Sequence, residues 1–348
     1  MNSKKWTIIL LVSVIMTLIS VAGLMIWLDP LIQYGTESGP LTSYEYSEMY
    51  TNPGIAKNYE YDSVLVGTSM IQNTDINLFE ELFGCKMVRL SYSGGTTYNM
   101  KKILELCLSS PNIVDTVYWE LDEYQLLSSA DEPRYPLPEY LYRTDHKEDI
   151  KYLLNLDIIY HYALKDIINT GKGITQKAER RGITFTGEYG RKVVLSDFHL
   201  PVSEEVTRET LEARKRKAEK NLQNIEGLVK AYPQTKFVFF LPPFSILYWE
   251  RDIKLGLFNN TMELLEYVLG QLMKNDNVYI FFYQGKEDII TDLNNYKDYS
   301  HYGSWINDKI TEWIAEGEGL LTMENYQAEI RGFKKFITDF DFEEFLNE

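Results

Sequence analysis

Residues 63–69 read Ser63-Val64-Leu65-Val66-Gly67-Thr68-Ser69. A short apolar run rich in Val that stops at a Gly-containing turn reads as a strand buried on both faces. The signature returns four times. Lys86-Met87-Val88-Arg89-Leu90 leads into Ser91-Tyr92-Ser93-Gly94-Gly95, and Thr116-Val117-Tyr118-Trp119 ends near Leu121-Asp122. Lys236–Leu241 stops at Pro242-Pro243, and Val278–Phe282 stops before Gly285. Between these runs lie helical patterns: Asn77–Phe83 closed by Gly84, Tyr98–Ser109 stopped by Pro111, Glu204–Lys230 and Thr261–Lys274. Short apolar strands alternating with helices predict an α/β fold, a three-layer sandwich around a central parallel sheet. Ligands of such sheets bind beyond the carboxyl ends of the strands, so chemistry is expected just after each run.

Before the first strand the sequence changes class. Trp6 to Leu28 runs 23 positions without a charge, between Lys4-Lys5 and Asp29-Pro30. As a helix this stretch is about 34 Å long, against a hydrocarbon core of about 30 Å. Trp6 and Trp27 stand at its two ends, where indole rings favour the membrane interface. Lys4 and Lys5 predict a cytoplasmic N-terminus and an extracytoplasmic remainder. A cleaved signal peptide is the competing reading. Its apolar region is normally shorter, roughly 7–15 residues, and ends in a small-x-small site. Ile26-Trp27-Leu28-Asp29-Pro30 offers no such site. The expectation is one uncleaved transmembrane helix in the cell membrane, spanning residues 6–28.

The whole chain has 348 residues, of which 45% are apolar and 14% aromatic, enough for a packed core and too many for wholesale disorder. With 35 basic and 51 acidic residues the formal charge is −16, a poor match for nucleic acid. Without the anchor and its two lysines the charge is −18. Two cysteines, Cys85 and Cys107, cannot build a disulfide framework, and no Cys/His set has zinc spacing. The expected organisation is a stub and anchor at 1–28, a Tyr/Ser/Gly-rich irregular lead-in at 29–60, an α/β domain at 61–316, and a helix with an acidic, Phe-rich tail at 317–348. The stretch at about 124–202 breaks the strand–helix alternation and reads as an insertion, a candidate lid or partner-binding cap. It holds Pro133, Pro136 and Pro138, a tyrosine cluster (Tyr135, Tyr140, Tyr142) and the basic segment Gly171–Lys192.

Two places carry candidate chemistry. Ser69 follows the first strand, though not in a G-x-S-x-G elbow, because position 71 is Ile. Near the other end stands Asp298-Tyr299-Ser300-His301, in a chain with four histidines. An Asp three residues before a His can fix the imidazole tautomer and stabilise the imidazolium. The other ring nitrogen is then free to take a proton from a serine at another strand end. His146, His161 and His199 lie in or near the 124–202 stretch, with no Asp three residues before them.

Ser69 after the first strand, Gly94-Gly95 after the second and D-x-x-H near the end, in that order, resemble the SGNH/GDSL hydrolase superfamily. Gly67-Thr68-Ser69 matches the Gly-Asp-Ser block with Thr in the place of Asp, and Ser93-Gly94-Gly95 matches the second block. The resemblance covers about 63–122 and 205–316. It implies an SGNH/flavodoxin-like sheet, a Ser69–His301–Asp298 triad, and an oxyanion hole from the N–H groups of Ser69 and Gly94. One departure stands out. The third block usually supplies an Asn donor, but here Trp119-Glu120-Leu121-Asp122-Glu123 has none, which leaves Asn73 or Asn99 as substitutes. With its anchor the chain looks like the membrane-anchored branch, the D-alanyl-lipoteichoic-acid and alginate O-acetylation proteins. That likeness implies an acyltransferase or esterase with an acyl-Ser69 intermediate and no cofactor or metal. The implied partners are a cell-envelope glycan or teichoic-type polymer and a membrane-bound O-acyltransferase. The alternative is a non-catalytic SGNH-like scaffold that binds glycan or that membrane partner. Tyr135, Tyr140, Tyr142 and Phe244, the last beside Pro242-Pro243, are the candidates for sugar contact.

Overall fold

A computed structural model describes residues 3–35, 39–176, 187–200 and 211–347. Contacts divide the chain into two compact units: residues 1–60, 109–111 and 136–181, and residues 61–108, 112–135 and 182–348.

The second unit is α/β. Its sheet has five strands, β1 (Ser63–Gly67), β2 (Met87–Ser91), β3 (Thr116–Glu120), β4 (Lys236–Leu241) and β5 (Val278–Phe282). All pairings are parallel and the order is β2-β1-β3-β4-β5. Each expected strand is present within a residue or two. They are nearly continuous in burial because both faces are covered; Val64, Val66, Trp119, Phe237 and Phe239 are inaccessible. Burying a side chain of this size contributes roughly 1.5–3 kcal/mol. The connection leaving β1 runs to β2 on one side and the connection leaving the adjacent β3 runs to β4 on the other, so the two diverge at the carboxyl ends of β1 and β3. That divergence opens the crevice where doubly wound sheets bind ligands.

The helices of this unit form two packed groups. Thr97–Leu108, Leu211–Ala231 and Phe258–Leu272 pack in succession, and Ile76–Phe83 packs on Ser304–Glu316. Gly84 closes Ile76–Phe83 in the left-handed region, at φ +62°. Residues 204–210, expected to start the long helix before β4, lie outside the described residues. The C-terminal segment is more than a tail. Helix Tyr326–Asp339 buries Ile330, Phe333 and Ile337, and the Phe333 ring meets Trp249 and Phe282 edge-on.

The first unit contains the helix Ser3–Leu28, with a mean hydropathy of 2.7 over its most apolar window. It is long and apolar enough to cross a membrane. Its last turn is packed: Met25 and Leu28 are buried against Ile150–Leu153 and Ile159–Ala163. Just beyond it, Asp29 and Ile32 have φ of +42° and +57°, conformations that non-glycine residues adopt only when surroundings hold them. The Asp29 carboxylate accepts from the N–H of Gln33 at 2.7 Å, the N–H of Tyr34 at 2.8 Å and the Tyr152 hydroxyl at 2.9 Å. The Tyr34 hydroxyl in turn donates to Asp149 at 2.8 Å.

Two parts of this unit differ from the sequence expectation. Within the supposed irregular lead-in, Glu48–Asn58 is an 11-residue helix with Pro53 inside. Pro53 cannot donate to the Met49 carbonyl; the Tyr142 hydroxyl does so instead, at 3.3 Å. Gly54 is required because a Cβ there would fall on the Leu31 carbonyl oxygen. Pro and Gly, which disguise the helix in sequence, are thus accommodated by tertiary contacts. The stretch 124–202, expected as one insertion, is shared between the units. Residues 136–176 belong with the N-terminal segment, through Gln176 N–H to Thr42 O at 2.8 Å and Tyr44 N–H to Gln176 O at 3.2 Å. Residues 124–135 and 187–200 belong to the α/β unit. Of the basic segment Gly171–Lys192, residues 177–186 lie outside the described residues.

Candidate active site

The turn after β1 presents Ser69. Thr68 ends the extended backbone, and Ser69–Ile71 is a single 3₁₀ turn. The turn is held from beneath by Glu120, the last residue of β3. One Glu120 oxygen, Oε2, accepts from the Thr68 N–H at 2.7 Å and the Thr68 hydroxyl at 2.9 Å. Gly67 makes this approach possible: a Cβ there would stand 2.7 Å from the Glu120 Cβ and 2.8 Å from Oε2.

The loop 296–303 presents Asp298 and His301. Its ends are tied by the N–H of Lys297 to the His301 carbonyl at 3.0 Å and the N–H of Gly303 to the Asn295 carbonyl at 2.9 Å. The proline-restricted loop after β4 supports it. The Tyr296 hydroxyl donates to Pro243 O at 2.7 Å, and the Ser245 hydroxyl donates to Tyr299 O at 2.6 Å. Inside the loop, Asp298 Oδ1 accepts from the Ser300 N–H at 2.9 Å and the His301 N–H at 2.8 Å. This local turn explains the D-x-x-H spacing: the backbone bonds that close the turn also aim the carboxylate at the ring.

These two elements bring the expected triad together. Ser69 Oγ and His301 Nε2 are 2.8 Å apart, and His301 Nδ1 is 2.8 Å from Asp298 Oδ2. The His301 and Asp298 side chains are 26% and 28% exposed, so the site is open enough to be reached. Burial opposes ionisation of Asp298. Hydrogen bonds from the His301 ring, with attraction to it and donation from the His301 and Ser300 N–H groups, outweigh burial and hold the carboxyl far below its usual range. Asp298 is therefore an ionised acceptor that leaves Nε2 to act on Ser69.

Gly94 sits in the left-handed region at φ +59°, in the loop after β2. That loop lies beside the Ser69 turn, joined by Gln72 Nε2 donating to Ser93 Oγ at 2.5 Å. Among the described residues, neither the Ser69 nor the Gly94 N–H donates to a protein acceptor. Sequence reasoning missed Arg134. Its Nη1 lies 2.7 Å from where a Gly94 Cβ would stand, and its guanidinium is 5.8 Å from the Tyr124 ring and 5.3 Å from the Tyr135 ring. Nothing in the linear pattern ties Pro133-Arg134-Tyr135 to Gly94.

The other candidates are placed differently. Asn73 Oδ1 accepts from Asn307 at 2.6 Å, and its amide donates to Tyr302 O at 3.4 Å. Asn99 Oδ1 accepts from the Thr96 N–H at 3.0 Å and so caps its own helix. Both side chains are engaged in holding the fold. Phe244, expected to touch sugar, is 3% exposed and stacked on Tyr248. It is a core residue because the two prolines turn it inward. Tyr140 and Tyr142 belong to the other unit and bond within it, to Asn155 and Met49. Tyr135 alone of the four is exposed in the α/β unit.

Behind Glu120 lies a buried acidic group. Glu123 is 5% exposed and its Oε2 accepts from Gln284 at 3.3 Å. Burial raises the Glu120 carboxyl to about 7, against the lowering effect of Thr68, and the Glu123 carboxyl to about 8, with Asp122 adding to the rise. Among the described residues no group of His, Cys, Asp and Glu is arranged to hold a metal ion. No protein-family model matches the chain, and no curated protein sequence matches it.

Proposed function

We propose that the chain is a membrane-anchored, extracytoplasmic serine acyltransferase or esterase of the SGNH/GDSL type that acts on cell-envelope polysaccharide. The observation that carries this reading is the hydrogen-bonded sequence Ser69–His301–Asp298 at the carboxyl end of β1. His301 Nε2 takes the Ser69 proton as Oγ attacks an acyl carbonyl. The N–H groups of Ser69 and Gly94 receive the oxyanion, and the Arg134 guanidinium supplies the donor that the family's third-block Asn would give. The imidazolium then protonates the leaving group, and acyl-Ser69 remains. A glycan hydroxyl, deprotonated by His301, takes the acyl group; water in its place makes the reaction a hydrolysis.

Burial of Met25 and Leu28 in the first unit supports a retained anchor, since cleavage after them would expose the surfaces they cover. A membrane-bound O-acyltransferase is the partner that suits an anchored acyl carrier, with a glycan or teichoic-type polymer as acceptor. A second reading, a non-catalytic scaffold, draws on the carboxylate at position 120 where a donor is usual. A fluorophosphonate probe separates the two. The acyltransferase reading expects stoichiometric labelling that Ser69→Ala removes. Labelling that persists in Ser69→Ala, or none in the wild type, contradicts it.

A further inference from the structure

The first unit carries an apolar surface that no described residue covers. Of the large hydrophobic side chains exposed among the described residues beyond Leu28, seven fall within 150–174. Elsewhere such residues are scattered, as expected of any surface. Here they are aligned. Leu156, Tyr160, Leu164, Ile167 and Ile168 recur at spacings of four and three along one continuous helical run, Leu156–Gly171. The π-turn Ile159–Ala163 widens the helix at its middle. The opposite side of the run is packed, with Ile158, Ala163 and Asp166 buried. Asp166 accepts from the Glu45 N–H at 2.6 Å, so this side is fixed to the rest of the unit.

The position of this stripe identifies what covers it. The π-turn and Ile150–Leu153 pack on the last turn of the apolar helix Ser3–Leu28. Tyr152, within Ile150–Leu153, is bonded to Asp29 at the helix end. Ile150 in the packed segment is 60% exposed, as is Trp27 in the last turn of the apolar helix at 62%. The stripe is thus continuous with the lipid-facing surface of the anchor, at the level of its outer end. Exposed Lys165 and Lys172 edge the stripe, and lysine stems of this kind reach past an apolar face toward headgroups.

We propose that Leu156–Gly171 is an interfacial helix, lying in the outer leaflet of the bilayer with Leu156, Tyr160, Leu164 and Ile168 among the acyl chains. The inference rests on the reading of Ser3–Leu28 as a membrane-spanning anchor. It makes the first unit a two-point attachment, one helix through the membrane and one along it.

The test uses the full chain, with Cys85→Ser and Cys107→Ala, in vesicles of phosphatidylcholine and phosphatidylglycerol. Single cysteines carry a bimane fluorophore at Ile15→Cys in the anchor, Leu164→Cys and Ile168→Cys in the stripe, and exposed Glu263→Cys in the α/β unit. Lipids brominated on their acyl chains quench fluorophores within the hydrocarbon. The expected result is several-fold stronger quenching at 15, 164 and 168 than at 263. Quenching at 15 without quenching at 164 and 168 overturns the inference and leaves the anchor standing; blue-shifted emission in that case identifies a protein cover, such as a membrane partner or a second copy. Absence of quenching at 15 overturns the anchor reading and the inference with it. Circular dichroism on each variant confirms that the fold is retained.

Discussion

Ser69 Oγ and His301 Nε2 stand 2.8 Å apart, although 232 residues separate them in the chain. That hydrogen bond joins the turn after β1 to the loop after β5. If the three residues act as a catalytic unit, Ser69→Ala and His301→Ala should each lower ester or transfer turnover by at least about 10³-fold, and the double variant little further. Asp298→Asn, which disturbs the tautomer, should cost about 10⁴-fold. Single-turnover kinetics with an activated ester check both. Fully additive losses in the double variant would argue against a shared relay.

Arg134 lies against Gly94 from a loop that the linear pattern does not connect to it. If its guanidinium steadies the oxyanion, Arg134→Ala should lower kcat by about 10²-fold, the magnitude found when one such donor is lost, with little change in KM. Arg134→Lys should recover part of the loss. A raised KM at unchanged kcat would assign Arg134 to substrate binding instead.

Glu120 holds the Ser69 turn in place through Thr68. Glu120→Ala removes the acceptor for the Thr68 N–H and hydroxyl, and a buried donor left unpaired costs about 1–3 kcal/mol. Glu120→Gln keeps an acceptor there and should be much milder. Denaturant midpoints of the two variants make the comparison.

The same acidic group predicts a pH dependence of stability. Burial raises the Glu120 and Glu123 carboxyls to about 7 and about 8 in the folded chain, above the 4.5 of an ordinary Glu. The folded state therefore holds protons that the unfolded state has released. Their stabilisation is complete below about 4.5 and is lost as pH rises through 7 and 8. Thermal midpoints should fall from pH 5 to pH 9, and Glu123→Gln should flatten the curve. Asp298 has the opposite sign but acts only in strong acid, as pH falls through its depressed range. A flat wild-type profile would show that the two carboxyls titrate normally.

Gly67 and Gly84 offer a steric comparison. Gly84→Ala meets open space and carries only the left-handed penalty, about 1–2 kcal/mol. Gly67→Ala drives a methyl into the Glu120 side chain and should be the more destabilising of the two, with loss of probe labelling as the Ser69 turn shifts. Equal losses in the two variants would contradict the close approach of Gly67 to Glu120.

The strands and the Ser69–His301–Asp298 set are legible in the sequence for one reason. Each depends on local signals: unbroken apolar runs such as Lys236–Leu241, and a D-x-x-H spacing that closes its own turn. What stays hidden is non-local. No pattern in Trp119-Glu120 shows that this carboxyl will reach under Thr68 on another strand. Nor does Tyr142 reveal that it will satisfy the carbonyl freed by Pro53, which is why Glu48–Asn58 reads as irregular. Phe244 looks like a ring at the rim of a site, yet the turn at Pro242-Pro243 buries it. The split of 124–202 between two units is equally invisible, because its partners lie near the N-terminus.

If the apolar helix is a membrane anchor, the Asp29 carboxylate, closed on by Gln33, Tyr34 and Tyr152, bears on how this protein can leave the membrane. Many anchored proteins are shed by a cut in a slack stalk, which releases an intact ectodomain. Here the described residues 29–35, just beyond the apolar helix, are already folded and offer a protease no slack. A cut that did succeed after Leu28 would strip Met25 and Leu28 from their sites. The freed fragment would begin with a wound in its own interior, so shedding and destabilisation of the first unit become one event.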